Sequence, residues 1–333
     1  MAESVFLTGG TGFVGAALLD RLVADGSQVR ALARSAAGIQ TIRSLGAEPV
    51  AGDLFQHDVL VRAMAGCVTV FHVAGVNSTC VRDAAPMFRT NVDGAGAVVR
   101  AAAAAGVRRL VHTSSAATIG EPRGVVGTED TPHRGSFLSS YERSKYLGER
   151  EVLSLGTKLG VEIVCVNPSS VQGPGRTGGS ARLLLGLVNG RVPVIVDTFL
   201  SILDIDDCTQ AHLLAAARGV PGHRYLVSGA TLTARSAVSL LRAQTGHPRH
   251  AIRLPRAAAT LAGAAGTAIS RVGGLELPFC LDLARTLLHG HRYDGTLAER
   301  ELGLRYTPLA QTVRRTLEWY AERGLAPVPF PLR

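Results

Sequence analysis

No apolar run in the sequence is long enough to cross a bilayer, which takes about 20 consecutive residues. The nearest approach, the Ala/Gly-rich stretch from Ala257 to Ser270, is bounded by Arg256 and Arg271 and interrupted by Gly and Thr. It reads as a packed or lid-like helix, with an interfacial role as the lesser alternative. The first residues enter a strand directly, so no signal peptide is expected, and the expected location is cytoplasmic. The five cysteines (Cys67, Cys80, Cys165, Cys208, Cys280) are odd in number and lack metal-type spacing. They are expected to be buried apolar thiols in a reducing compartment, with no metal site. The net charge is +9, yet there is no basic run and no aromatic-interleaved patch. That argues against nucleic acid and leaves only a mild bias toward anionic ligands or membrane surfaces. Internal repeats and low-complexity linkers are missing too. What remains is a 333-residue chain, 46% hydrophobic and 18% charged, suited to one large globular domain or two unequal ones.

The strongest positive signal is Thr8-Gly9-Gly10-Thr11-Gly12-Phe13-Val14-Gly15. Ser4–Leu7 before it reads as a buried strand and Ala16–Val23 after it as an amphipathic helix. Strand, glycine turn and helix in that order make a phosphate trap. Gly9 permits the turn, Gly12 lets the backbone approach a pyrophosphate, and Gly15 lets the helix pack close to the strand. The helix N-terminus then offers free N–H groups and a positive dipole end to the anion.

Strand signals continue at Gln28–Ala33, Glu48–Ala51, Thr69–Val73, Arg109–Thr113 and Glu162–Val166, with helices between them at about 13–25, 37–45, 56–65, 86–105 and 141–159. This βαβ repetition predicts an α/β fold with a Rossmann-type doubly wound parallel sheet, whose ligands bind beyond the strands' C-terminal ends. The expected division is a nucleotide-binding domain over 1–167, to which 201–228 returns through the helix Asp206–Arg218 and the strand Arg224–Val227. A smaller substrate lobe is expected over 168–200 and 229–333.

Tyr141-Glu-Arg-Ser-Lys145 places a phenol and an ammonium on one helix face. A phenol ordinarily titrates near ~10, and a neighbouring cation lowers that value. The spacing alone also fits an exposed helix face; its position downstream of a nucleotide-binding half favours chemistry. Thr113-Ser114-Ser115-Ala116 ends a strand just upstream, where a hydroxyl can bond the same substrate oxygen as the tyrosine or merely cap the strand end.

These segments, with Gly52-Asp53-Leu54, His72–Gly75, Thr90–Gly94, Asn167-Pro168-Ser-Ser-Val171, Leu203–Asp207 and the tail from Tyr293-Asp294 to Trp319-Tyr320, resemble an extended short-chain dehydrogenase/reductase along nearly the whole chain. The branch they resemble is that of dihydroflavonol-reductase-like and 3β-hydroxysteroid-dehydrogenase-like proteins; nucleotide-sugar epimerases are more distant. The resemblance implies catalytic roles for Ser115, Tyr141 and Lys145, and ties Asn91 to the lysine's water relay. It implies that Gly9, Thr11, Gly12, Phe13, Val14 and Gly15 hold the pyrophosphate. Asp53 and Leu54 match the adenine contact. Val73, Ala74, Gly75 and Thr113 match the nicotinamide-ribose side, where Lys145 holds the ribose hydroxyls. Asn167, Pro168 and Val171 match the loop beside the nicotinamide. Asp206 and Asp207 match a structural turn. The helices at about 86–105 and 141–157 form a dimer interface in many relatives, which implies a homodimer; packing of Ala101–Ala105 on the chain's own sheet is the alternative.

The second strand ends Val29-Arg30-Ala31-Leu32-Ala33-Arg34-Ser35, without the acid that would bind the ribose 2′-hydroxyl of NAD. Arg34 and Ser35, with Arg30 as a second cation, suit a 2′-phosphate, so NADP is expected over NAD. The expected reaction is reduction of a ketone, or oxidation of a secondary alcohol. The expected pocket segments are Val76–Arg89, Ala117–Pro122, Val171–Leu187 and Leu254–Phe279. They are mainly apolar, with Arg176 and Arg182 as exceptions, and suit a small molecule such as a steroid, polyketide or flavonoid-like compound. The alternatives are a nucleotide-sugar epimerase or dehydratase and, less favoured, a non-catalytic NADP-binding regulator. Dehydratases of this kind generally carry acids just after the serine, where this chain has Ala116-Ala117-Thr118-Ile119.

Overall fold

Alternation along β1 already sets up a sheet covered on both faces: Val5 and Leu7 join one apolar core, and Phe6, between them, joins another. In the computed structural model, residues 3–190, 194–245, 252–273, 277 and 279–326 are described. The elements of the first part are β1 (Ser4–Thr8), α1 (Phe13–Ala24), β2 (Gln28–Ala33), α2 (Ala36–Ser44), β3 (Glu48–Ala51), α3 (His57–Met64), β4 (Thr69–His72), α4 (Ala85–Phe88), α5 (Ala95–Ala104), β5 (Arg109–Thr113), α6 (Ser140–Leu159) and β6 (Glu162–Pro168). There follow β7 (Ser170–Gln172), α7 (Ala181–Val188), β8 (Val194–Ile195), β9 (Phe199–Asp204), α8 (Ile205–Arg218), β10 (Arg224–Val227), β11 (Ala230–Thr233), α9 (Ala234–Thr245), β12 (Ile252–Arg253), α10 (Arg256–Gly273), α11 (Leu281–His289) and α12 (Leu309–Glu322).

Seven strands form one sheet in the order β10-β6-β5-β4-β1-β2-β3, and every pairing in it is parallel. Leu18, Leu19 and Leu22 of α1 pack on one face with Ala211 and Ala215 of α8. Val98 and Val99 of α5, Val152 of α6 and Leu60 of α3 pack on the other. This is the expected α/β Rossmann-type sheet. The strand order reverses between β1 and β4, which opens a crevice at their C-terminal ends. Beyond it, β11, β9 and β7 make a second sheet and β12 with β8 a third.

The helix expected at about 86–105 is divided. A π-helical turn over Arg89–Gly94 separates α4 from α5, and such an insertion re-aims side chains at that point. Of the alanine run, Ala101 and Ala102 are buried on the sheet, whereas Ala104 is exposed. The carboxylates after β9 serve the fold, as expected. Asp204 caps α8 through the Asp206 N–H, Asp207 accepts from the Thr307 N–H and hydroxyl, and Arg315 pairs with Asp204 and Asp206.

The cysteines correct the expectation. Cys67, Cys165 and Cys208 are free and buried, but Cys80 and Cys280 form a disulfide, with their Cα atoms 5.6 Å apart. It joins the loop after β4 to the start of α11, across a sequence separation of 200 that spacing alone cannot reveal. Among the described residues no helix is long and apolar enough to cross a membrane.

Under the strand ends lie His72, His112 and His212, all buried. The His72 and His112 rings stack with centroids 5.2 Å apart. Burial, with help from the Lys145 cation, lowers His72 to about 3 and holds His112 well below the ordinary value. Burial likewise lowers His212 to about 4, against a hydrogen bond to the Cys208 carbonyl. Their folded values lie below the unfolded one, so the unfolded chain takes up protons first as pH falls. Stability is therefore retained above the ordinary value of 6.5 and lost between there and about 3. At pH 5 the loss reaches up to about 2 kcal/mol per histidine. Thermal unfolding at pH 7 and pH 5 is expected to show a lower midpoint at pH 5, and His112→Phe is expected to lessen the drop. An equal drop in both proteins would place the acid lability elsewhere.

Candidate functional site

The turn after β1 is held by backbone contacts. Gly9 has φ +80°, and a Cβ there would lie 2.6 Å from the Ala74 nitrogen and 2.8 Å from the Val73 carbonyl carbon. A Cβ on Gly15 would overlap the Gly9 carbonyl. Gly12 differs: a Cβ there meets only the Gly9 oxygen, at an ordinary 3.4 Å. Gly12 N-caps α1 with no side-chain cap and no acid in the first turn, so the helix start presents uncovered N–H groups and its positive dipole end. Thr8 ties this turn to the end of β4. Its hydroxyl accepts from the Ala74 N–H at 3.2 Å and meets His72 Nδ1 at 2.7 Å. Val73, Ala74 and Gly75 thereby lie alongside the glycine turn.

Around the second strand, α2 starts next to that turn: a Cβ on Gly38 would lie 3.3 Å from the Thr11 methyl. Ser35 caps α2 by accepting from the Gly38 N–H, which leaves its O–H able to donate. Arg34 is exposed and makes no ion pair among the described residues. Arg30, expected as a second cation there, is instead committed to the Ala63 and Ala65 carbonyls at the end of α3. Leu54 is buried beside Gly94, and Asp53 closes a local turn by accepting from the Phe55 N–H.

The expected catalytic set converges from β5, the π-turn and α6. Ser139 starts α6 by capping the Glu142 N–H, which places Tyr141 in the first turn and Lys145 one turn on. The Ser115 hydroxyl accepts from the Ala117 N–H at 3.3 Å and lies near enough to the Tyr141 phenol to lower it. Ser114 Oγ is buried without a hydrogen-bond partner. Lys145 Nζ donates to the Thr113 carbonyl at 2.7 Å. Asn91 accepts from the Val76 N–H at 2.7 Å and donates to the Val76 carbonyl and the Ser144 hydroxyl. A Cβ on Gly75 would lie 3.2 Å from Asn91 Oδ1 and 3.7 Å from Lys145 Nζ, so these groups surround one point on the β4 loop. Lys145 and Lys158 are the only lysines among 35 Lys and Arg residues. A compact ammonium that titrates when buried suits the position better than a guanidinium, and burial does lower Lys145 to about 8, against the pull of Glu149.

One expectation, that Lys145 lowers the phenol, is corrected. Burial pushes the Tyr141 phenol up, and the groups that pull it back are the Ser115 hydroxyl and the Arg176 guanidinium, not Lys145. Arg176 lies 5.1 Å over the Phe13 ring. Its Nε is buried without a hydrogen-bond partner, and among the described residues no carboxylate pairs with it. Asn167 turns its amide into the core, donating to Thr118, Glu149 and the Ser115 carbonyl, while Pro168 ends β6 beside it and Val171 is buried in β7.

Sequence reasoning missed Glu149, which anchors Asn167, Thr118 and Arg224. It also missed a cluster in which Glu121 is approached by His291 Nδ1 at 2.6 Å and His289 Nε2 at 3.4 Å, with the Tyr293 hydroxyl 2.9 Å from His291. Burial works to raise Glu121, but the two histidines outweigh it and hold the carboxyl at about 2. The His-x-His spacing was the available signal. Of the expected pocket segments, Val76–Arg89 is tied through Cys80 to Cys280, the residue that follows Leu254–Phe279, and Arg182 is exposed. Residues 274–276 and 278 lie outside the described residues.

Residues 5–228 match the model of the NAD dependent epimerase/dehydratase family. The chain belongs to that family. It is thus an NAD(P)-dependent enzyme of the extended short-chain dehydrogenase/reductase type. It is 32% identical over 335 residues to a putative dihydroflavonol 4-reductase of Synechocystis sp., covering 97% of this chain and 96% of that one. It is 31% identical to sterol demethylase protein B of Methylococcus capsulatus, covering 97% and 99%. The crystal structure of gox2253 superposes with a TM-score of 0.86 at 29% identity, covering 98% of this chain and all of that one.

Removing the guanidinium is expected to raise the Tyr141 phenol further. Tyrosinate absorbance titrations of wild type, Tyr141→Phe and Arg176→Met check this. The transition missing from Tyr141→Phe should appear at higher pH in Arg176→Met, and an unmoved transition would remove Arg176 from the site's electrostatics.

Proposed function

We propose that the protein is an NADP-dependent ketone reductase or secondary alcohol dehydrogenase acting on a largely apolar small molecule. The observation that carries this reading is the convergence of Ser115, just after β5, and Tyr141, in the first turn of α6, with Lys145 one turn on held by the Thr113 carbonyl.

The residues present fit a dinucleotide. Gly12 has no protein neighbour that demands a glycine, so its missing side chain suits the approach of a phosphate to the α1 N-terminus. Gly9, Thr11, Phe13, Val14 and Gly15 shape that cradle, Asp53 and Leu54 border the adenine side, and Val73, Ala74, Gly75 and Thr113 border the nicotinamide side with Asn167, Pro168 and Val171. When bound, the nicotinamide supplies or takes the hydride. Tyr141 gives a proton to the carbonyl oxygen, or takes it in the reverse direction, while Ser115 donates a second hydrogen bond to that oxygen. Lys145 holds the ribose hydroxyls, and Asn91 positions the β4 loop and the start of α6 around it. Arg176 supplies the cation that favours the phenolate.

Two relatives named for a dihydroflavonol and a sterol support an apolar substrate. A nucleotide-sugar dehydratase is less well supported. The turn after Ser115 carries no acid, and Glu121 beyond it is engaged by His289 and His291. A substrate lobe over 168–200 and 229–333 and a homodimer through 86–105 and 141–157 belong to the same proposal, on the resemblance alone.

Tyr141→Phe should leave dinucleotide affinity nearly unchanged and cut turnover by about 10²–10⁴. A panel of apolar ketones screened by NADPH oxidation supplies the assay, and near-normal turnover in the variant would overturn the mechanism. If no ketone responds and nucleotide sugars are epimerised without net cofactor change, the epimerase reading replaces it.

Arg34 in place of an acid should make NADPH bind more tightly than NADH, with Arg34→Asp shifting the preference toward NADH. Fluorescence titration of both cofactors measures this, and equal or reversed affinity in the wild type would refute the NADP reading.

A further inference from the structure

We propose that the outward face of α10 docks on the surface of an anionic lipid bilayer. This goes beyond the reading of the reaction and does not depend on it. Among the described residues, the four most exposed large apolar side chains all fall in one short stretch: Val272 at 91%, Leu261 at 71%, Ile252 at 68% and Ile269 at 49%. Elsewhere the highest value is 46%, at Val126. A helix of 3.6 residues per turn puts Leu261, Ala265, Ala268, Ile269 and Val272 along one side. The opposite side is the packed one. Ala259, Gly263 and Gly266 are buried there, and a Cβ on Gly263 would lie 2.7 Å from the Ala284 methyl of α11. The small residues seat the helix, and its large ones point away from the protein. This inverts an ordinary surface helix, which buries its large apolar side chains.

Charge selects the occupant. Between Asp207 and Glu276 the sequence holds eight arginines and no aspartate or glutamate. Arg253 and Arg256 precede the apolar stripe and Arg271 ends it, all exposed. Among the described residues the ion pair that these three arginines make is that of Arg253 with Asp197, at 3.9 Å. An apolar stripe flanked by arginines matches the interface of a bilayer with acidic headgroups. A second copy would have to bring one set of arginines against another. A cavity of 670 Å³, lined by Ser78, Val81, Arg82, Asp83 and Arg271 among others, opens between the end of α10 and the loop after β4.

Vesicle co-sedimentation tests this on the whole protein without any assay of turnover. Wild type is expected to sediment with phosphatidylcholine vesicles containing phosphatidylglycerol, less with phosphatidylcholine alone, and less again as salt rises. The double variant Leu261→Asp/Val272→Asp is expected to remain in the supernatant while keeping wild-type dinucleotide binding. Arg256→Gln and Arg271→Gln, which leave the stripe intact, are each expected to weaken partitioning by about fivefold. The proposal fails if wild type does not sediment, or if the double Asp variant sediments as well as wild type. It also fails if light scattering shows a dimer that the double Asp variant dissolves, since the face would then pair two copies.

Discussion

The approach of Gly9 to the Val73–Ala74 peptide fixes the distance between the ends of β1 and β4, and the cleft is built outward from it. No side chain fits between those backbones, so the glycine turn and the β4 loop move as one piece. Thr8 reinforces the contact from below, by bonding to Ala74 and to the buried His72. From the β4 loop the chain of contacts runs through Val76 to Asn91, then to Ser144 on α6, one residue from Lys145. The glycine turn and the Ser/Tyr/Lys group, far apart in sequence, are thus linked by one short series of contacts and hydrogen bonds. Geometry anchored on backbone varies less than geometry anchored on long side chains, which is what the proposed hydride donor and proton donor, aimed at the two ends of one carbonyl, require.

Cations dominate the electrostatics of the cleft. Lys145 is buried on the Thr113 carbonyl, and Arg176, which lowers the phenol, has no carboxylate partner among the described residues. Buried cations are costly unless an anion joins them, and a dinucleotide carries several negative charges. The histidines under the strand ends carry no compensating charge. Burial and the Lys145 cation hold His72 and His112 neutral, so the floor of the cleft adds no further positive charge. Glu149, four residues after Lys145, is the carboxylate that faces this region from within the core, and it is satisfied by Asn167, Thr118 and Arg224.

How α10 is seated shows that composition alone does not report a helix's role. Its alanines and glycines buy a close fit on α11, and its few large apolar residues are left outside. The disulfide between Cys80 and Cys280 ties the β4 loop to α11, on which α10 lies. A surface event at α10 is therefore connected to the rim of the cleft by a covalent bond and a packed helix pair.

The sequence by itself determined the elements and the family. The strands β2, β3, β5 and β10 have the bounds read from the sequence, and the glycine turn and Tyr141–Lys145 pair are legible because their chemistry is set by neighbours in sequence. Arg34, read as free at the end of β2, is exposed in the fold as well. Tertiary structure alone decided the rest. Arg30 and Arg34 look equivalent in sequence, yet the end of α3 takes Arg30 and leaves Arg34. Arg176 acts on Tyr141 because the loop after β7 crosses the glycine turn, a contact between segments well over a hundred residues from that turn. Cys80 meets Cys280, and Glu121 meets His289 and His291, by the same kind of long-range closure. Spacing along a chain carries local periodicity, whereas a pairing between distant segments depends on where several packed elements bring them, and no short stretch of sequence holds that information.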